Sequence, residues 1–600
     1  MRRAGSVFCQ WPRRGVVLIV VLVLVVMLSL AGFGFLSAMS TEYEAVRLHG
    51  SLLQARQTMV SAESQLLWLS GQPRRRREIL GGLTNNPNLF CGRSVDAPGA
   101  LGTEAGGTGL SAVSSEAGST AIAQLQSQAV LAGEDVWRFS VISVDRPVGG
   151  VPELRFGVTT ESAKLHLATV LRWEQANPGA GRQALLRLPG VTEIIADSLL
   201  DWMDADDAPR PQGAETEYYQ GLGLSIRPAN AVPGTLEQLL AVRGISAMLL
   251  FGSGSATATT VAAPGSGSDG AGPAASPEGG EAVLTVPQQE LSAETFSTDS
   301  AELQVGTAVG TLRPLSELLT VWSAERLSQP DGTIRVNVNQ SDLNAIRAGL
   351  QGRVSETVIQ FLVLARVYGL TAAEPAGVME QSADGVTLPA GAVATAGLRS
   401  LGDLVDGRVL VPAAGNRPLT MVRSPLQSTQ ADSDLLFRQL TDVACTEPGP
   451  VINGRVSLQE ASEEVLRCLP GLTPEQAAGL AAQRTRLQPF ERRSLLWPVR
   501  AGVLTVEQWR TVLPELTDIG DVFQAELVVF RAVGGPVLRR KLIVDAASGA
   551  AKRVYWRDVT AEQLPFPLPS LLPPRDGTQQ NGKPGPETPL TGGPGTELPG

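Results

Sequence analysis

A chain of 600 residues is too long for one hydrophobic core and should fold as several domains, and its 64 glycines and 41 prolines set against 5% aromatics call for sizeable linkers. A formal charge of −10, falling to −14 once four N-terminal arginines are removed, disfavours nucleic acid as a partner, because phosphate binding needs a positive surface. Only two histidines, His49 and His166, are present, so the common catalytic triads and histidine-based zinc sites are poorly supplied.

Residues 16–36 carry no charge, and at ~1.5 Å per residue they reach roughly 30 Å as a helix, enough to cross the hydrocarbon core of a bilayer. Arg2, Arg3, Arg13 and Arg14 all precede this stretch, and the first acidic residue, Glu42, follows it. The positive-inside rule then keeps the N-terminus cytoplasmic and exports the rest. Ser37-Ala38-Met39 is a poor signal-peptidase site, and the helix should continue to Leu69, with Leu48, Leu52, Leu53, Val60, Leu66 and Leu67 among polar residues.

Residues 71–160 read as the first part of an exported body, with strands over 135–143 and 153–159 and a glycine-rich loop over 98–118. A mainly helical region follows over 161–250 and resumes over 286–515, interrupted by a flexible Gly/Ser/Ala-rich linker over 251–285. Within it a pattern of short strand, turn and helical hairpin recurs three times, opening at Lys164-Leu165-His166, Arg335-Val336-Asn337 and Arg455-Val456-Ser457. Residues 372–396 are weakly patterned. Residues 516–564 return to strands, at 523–531, 536–544 and 552–558, before a disordered Pro/Gly-rich tail over 565–600. The expected fold class is α+β: a long N-terminal transmembrane helix and an antiparallel sheet interrupted by a mainly helical insertion.

Two Leu-Pro-Gly turns, at 188–190 and 469–471, mark helix-hairpin-helix-like units, some of which bind DNA through turn amides. Asp197, Asp201, Glu463, Glu464 and Glu475 surround them, which favours a packing role. Of the cysteines, Cys9 precedes the membrane segment, and Cys91, Cys445 and Cys468 lie in a compartment that permits disulfides. Cys445 and Cys468 are the closer pair and the candidates for a bridge, with free buried thiols as the alternative.

The densest polar constellation runs from Leu199 to Tyr219. Asp201 and Asp204 share a helix face, and Asp206 and Asp207 sit where the helix should end before Pro209. Negative charge at a helix C-terminus is unfavourable, so Arg210, a hard cation such as calcium, or plain solvation should compensate it. Trp202, large and apolar in an acidic run, should be buried.

A basic leader ending in Gly15, with an apolar helix starting at Val16, resembles the signal of type IV pilins and pseudopilins, which prepilin peptidase cuts after the glycine. An uncleaved single-span anchor is the alternative. Most of that family carry Glu at the fifth mature position; Val20 stands there, which is typical of the K-type minor pseudopilins of type II secretion. The Asp201-Trp202-Met203-Asp204-Ala205-Asp206-Asp207 run, followed by Arg210-Pro211-Gln212-Gly213-Ala214-Glu215 and the Tyr218-Tyr219 pair, is similar to the characteristic block of that family, with Gln212 for the usual Asn. Asn230 and the Asn337-Val338-Asn339 element extend the resemblance. It implies a non-enzymatic inner-membrane protein with a periplasmic bulk, at the tip of a short pseudopilus with minor pseudopilins of the I and J types, above the inner-membrane assembly platform. It also implies that calcium binding is possible. The competing readings are a membrane-anchored helix-hairpin-helix DNA receptor of a competence system and an exported hydrolase using Asp204 and Asp206.

Overall fold

The computed structural model describes residues 14–94, 136–145, 153–223, 226–252 and 313–572, except 374, 376–377, 390, 414–417, 489, 533, 563 and 565. The glycine-rich loop over 98–118, most of the linker, the greater part of the C-terminal tail and the leader up to Arg13 lie outside the described residues.

One helix, Arg14–Ser70, runs without a break through the apolar stretch and beyond it. No proline interrupts it, and its large apolar residues from Leu18 to Leu36 lie uncovered in a helix long and apolar enough to cross a membrane. From Ala55 onward one face is buried: Ala55, Met59, Ala62, Leu66 and Leu69 recur at spacings of three and four and pack on a sheet.

The seven strands of that sheet are β1 (Arg93–Ser94), β2 (Trp137–Asp145), β3 (Glu153–Phe156), β4 (Thr159–Thr160), β5 (Val522–Arg531), β6 (Leu538–Asp545) and β7 (Lys552–Asp558). The order is β1-β2-β5-β6-β7, with β3 beside β2 and β4 beside β5, and every pairing is antiparallel. Side chains alternate as a pleated sheet requires. Phe523, Ala525, Leu527 and Val529 face the long helix, while Val528 and Phe530 face the opposite side, where Leu571 returns to cover them.

β4 and β5 are neighbours in space, Thr160 opposite Phe523, yet residues 161–521 separate them in sequence. That long segment is the expected insertion, and it has its own core, running from Leu165 to Leu516. The three expected strand starts are strands of two residues each, Leu165–His166, Val336–Asn337 and Val456–Ser457. Each pairs in parallel with a partner later in the chain, Leu319–Thr320, Ala444–Cys445 and Leu516–Thr517. A three-stranded sheet of Met379–Gln381, Arg408–Val411 and Thr420–Arg423 was not legible, because its first strand is exposed on every residue.

A collar of charge joins insertion to body just past the long helix. Arg74 reaches Asp442 and Asp518, and Arg77 donates to Asp521 at 2.8 Å while its guanidinium lies 5.4 Å from the Phe523 ring. Of the two readings for Cys445 and Cys468, the structure has the free buried thiols and no bridge. Each thiol donates to a nearby carbonyl, of Glu447 and Glu464. Cys445 ends a strand held beside Asn337, while Cys468 closes a helical turn that starts at Glu463.

Candidate functional site

The acidic constellation is built on the helix Glu193–Met203, capped by Thr192, whose hydroxyl accepts from the Ile195 amide. Its apolar face enters the core of the insertion, and Asp197 and Asp201, one turn apart, go in with it, both at 0% exposure. Buried carboxylates need partners. Asp197 accepts from Arg182 Nε at 2.5 Å and from the Gln212 amide at 3.2 Å. Asp201 accepts from Arg210 Nη1 at 2.6 Å and from the Arg210 amide, and Asp204 accepts from the same Nη1 at 2.5 Å. Arg210 is thus the compensating charge at this helix end. Asp201 and Asp204 hold its guanidinium above the usual range although burial acts the other way. Burial pushes the Asp204 carboxyl up despite Arg210.

The loop after Arg210 closes on these carboxylates. A Cβ on Gly213 would stand 1.7 Å from Asp201 Oδ2, so only glycine fits there. Ala214 is buried behind it. Glu215 begins the helix Thr216–Gly221, and both of its buried carboxylate oxygens lack a hydrogen-bond donor. Burial first, then Asp201, Asp204 and Asp207, raise its pKa to about 7.

Trp202 is buried as expected and meets Tyr219 edge to face, with ring centroids 5.7 Å apart. Tyr218 and Tyr219 pack edge to face in turn, at 5.3 Å. Arg243, which sequence reasoning missed, holds the pair together. Its guanidinium lies 4.6 Å from the Tyr218 ring, its Nη1 donates to the Gly213 carbonyl, and its amide donates to the Tyr219 hydroxyl. Its place in Val242-Arg243-Gly244-Ile245-Ser246, a hairpin turn like those at 188–192 and 469–473, was the available signal.

The remaining family-like residues do not join this cluster. Asn230 is exposed, in a loop with a left-handed backbone. Asn337 accepts from the Asn339 amide at 2.8 Å, and Asn339 ties three segments together, donating to the Leu398 and Thr446 carbonyls and accepting from the Leu398 amide. Gly15 and Val16 lie in the first turns of the long helix.

Two of the four aspartates considered for calcium turn elsewhere. Asp206 accepts from the Ala208 amide, Asp207 from the Thr216 hydroxyl, and Arg210 stands between the other two. Among the described residues no group of three or more His, Cys, Asp or Glu side chains is arranged to hold a metal ion. The donor set as built fits a guanidinium and not a hard cation, which takes six to eight oxygens. A hydrolytic dyad of Asp204 and Asp206 has no support in the geometry, since Asp204 is held by Arg210 and Asp206 is engaged with its own loop.

The two Leu-Pro-Gly turns meet each other. Arg187 donates to the Arg467 carbonyl at 2.8 Å, at the base of the second hairpin, so one hairpin packs on the other. Glycine suits both turns, at φ 78° for Gly190 and 85° for Gly471.

Residues 165–251, which hold the acidic helix, the Gly213 loop, the tyrosine pair and Arg243, match the family described as type II secretion system (T2SS), protein K. No curated protein and no solved structure gives a significant match. The helix, the arginine-closed loop, the tyrosine pair and Arg243 all fall inside the matched stretch, so the part of the chain that carries the site resembles type II secretion protein K.

Proposed function

We propose that this component of a type II secretion system is the minor pseudopilin at the tip of the pseudopilus, where it assists export of folded proteins across the outer membrane. The observation that carries this reading is where the insertion leaves the body. Thr160 and Val522 flank it, and the collar of Arg74 and Arg77 fixes it just past Ser70, at the end of the long helix farthest from the apolar stretch. A mass of that size on the membrane-distal end leaves no room for another subunit to stack above, which suits a terminal position. Val20, in place of a carboxylate that would pair with a preceding subunit, suits it too.

In this reading prepilin peptidase cuts between Gly15 and Val16 on the cytoplasmic side. The apolar helix holds the protein in the inner membrane by a single span, and the bulk is periplasmic. The partners are minor pseudopilins of the I and J types, the pseudopilus below and the inner-membrane assembly platform. Calcium belongs to this reading only if Arg210 withdraws from Asp201 and Asp204.

The test is the position of the protein on isolated pseudopili carrying an epitope inserted after Gly391, an exposed loop position. Gold label at one end of each filament is expected, and label along the length would refute the tip position. Mass spectrometry of the membrane-extracted protein should find an N-terminus at Val16, and an intact Met1 would refute the processing.

A further inference from the structure

A groove of about 1540 Å³ opens between the sheet and the insertion, on the side of the sheet opposite the long helix. Its floor is made by Gln524, Glu526, Lys541 and Ile543 of β5 and β6, and one wall by Leu249, Phe251 and Pro314. Eight basic and six acidic side chains line it, a positive surplus in a chain whose formal charge is −10. Both ends of the segment 253–312 stand at its rim. Gly252 and Arg313 each line the groove, and a Cβ on Gly252 would lie 3.6 Å from Pro314, so the chain leaves and returns at one point.

The sequence of that segment is unusual in charge. It holds seven acidic residues, Asp269, Glu278, Glu281, Glu290, Glu294, Asp299 and Glu302, and no lysine or arginine. An acidic chain tethered at both ends to the mouth of a positive groove has an effective concentration there of the order of millimolar, so even weak ionic contacts fill the site.

We propose that the groove is a docking site for an extended acidic peptide and that its resident occupant is this chain's own segment 253–312. The proposal does not rest on the tip position or on the partners named above. The groove basic groups best placed to receive the carboxylates are Lys541 on β6 and Arg492 at the rim. Both are partly exposed, and Arg492 Nε donates to the Leu487 carbonyl, leaving its terminal nitrogens to the groove.

Zero-length carbodiimide coupling on the intact, detergent-solubilised chain provides the first test. Only four lysines exist, Lys164, Lys541, Lys552 and Lys583, so a bond from Lys541 to one of the seven acidic residues is diagnostic by mass spectrometry. The second test uses a synthetic peptide of residues 281–302 and a variant in which 253–312 is replaced by a short glycine linker, which the contact of Gly252 with Pro314 permits. The shortened chain should bind the peptide at least tenfold more tightly than the intact chain, whose own segment competes. The double variant Lys541→Glu, Arg492→Glu should lose at least tenfold of that affinity. Coupling of Lys541 only to acidic residues outside 253–312, or equal peptide binding by intact and shortened chains, would overturn the proposal. The coupling result stands on the intact chain even if the shortened one fails to fold.

Discussion

The body and the acidic block of the insertion bury their side chains by opposite means. Between the long helix and the sheet the contact is mainly apolar, with Leu66 and Leu69 against Leu527, Val529 and Leu542, and Glu63 paired to Arg540 and Arg553 beside them. In the block, Asp197 and Asp201 are as deeply buried as those leucines, and Arg182 and Arg210 hold them. Apolar burial stabilises a fold in proportion to area and tolerates small shifts. A buried charge pair contributes little net stability while intact and is severely destabilising when one member is removed. The apolar face of the body should therefore weaken by degrees under substitution and the block should fail abruptly.

Replacing Arg210 by Met is the sharpest test of that contrast. It leaves Asp201 and Asp204 facing each other without a cation, and a loss of about 4 kcal/mol is expected in denaturant unfolding, the range found when one partner of a buried pair is removed. A loss below about 1 kcal/mol would mean that the carboxylates find another partner, and a rise in melting temperature on adding calcium to that variant would name it. In the body, Leu66→Ala should cost about 3 kcal/mol through the cavity it opens. The body loss should not change between pH 5 and pH 8.

The two regions also differ in how far sequence revealed them. The three long strands β5, β6 and β7 were placed within two residues of their observed limits, because apolar and polar residues alternate along paired strands and Gly534-Gly535 marks the turn. The helix carrying Asp201 was equally plain, but its surroundings were not. Acidic residues near a helix end look solvated in a sequence, and the Gly213 loop that closes over them is pinned by Arg243, which stands forty-two positions beyond Asp201 and whose ring contact with Tyr218 no local pattern contains. The strands inside the insertion are two or three residues long, too short for periodicity to register.

Glu215 sharpens the comparison through pH. Its folded pKa, about 7, lies above the ordinary 4.5, so the folded state holds the proton more tightly than the unfolded state. Stability from this group is fully present below pH 4.5 and is lost as pH rises toward 7. Replacing Glu215 by Gln removes that loss, so the variant should gain about 3 kcal/mol at pH 8 and nothing at pH 4. A gain independent of pH would assign it to packing.

The smallest expected effect concerns a feature that needs no burial at all. The hairpin at 469–473 ends in Thr473, whose hydroxyl accepts from the Gln476 amide at 3.3 Å, while Gln476 Oε1 accepts from the Thr473 amide at 3.0 Å. Both bonds are exposed, and together they form a reciprocal cap on the helix Pro474–Arg486. Thr473→Ala should cost about 1 kcal/mol, and Thr473→Ser should restore most of it, since serine keeps the accepting oxygen. Unlike Arg210→Met, the loss should be shallow and unaffected by salt, because no buried charge is uncovered. A loss as large as that of Arg210→Met would mean that the hairpin turn bears load for the block through Arg187, which bridges from the first hairpin to the base of this one. In that case Arg187→Met should reproduce the loss, and the contrast between a graded apolar body and an abrupt charged block would extend from Asp201 to the whole hairpin pair.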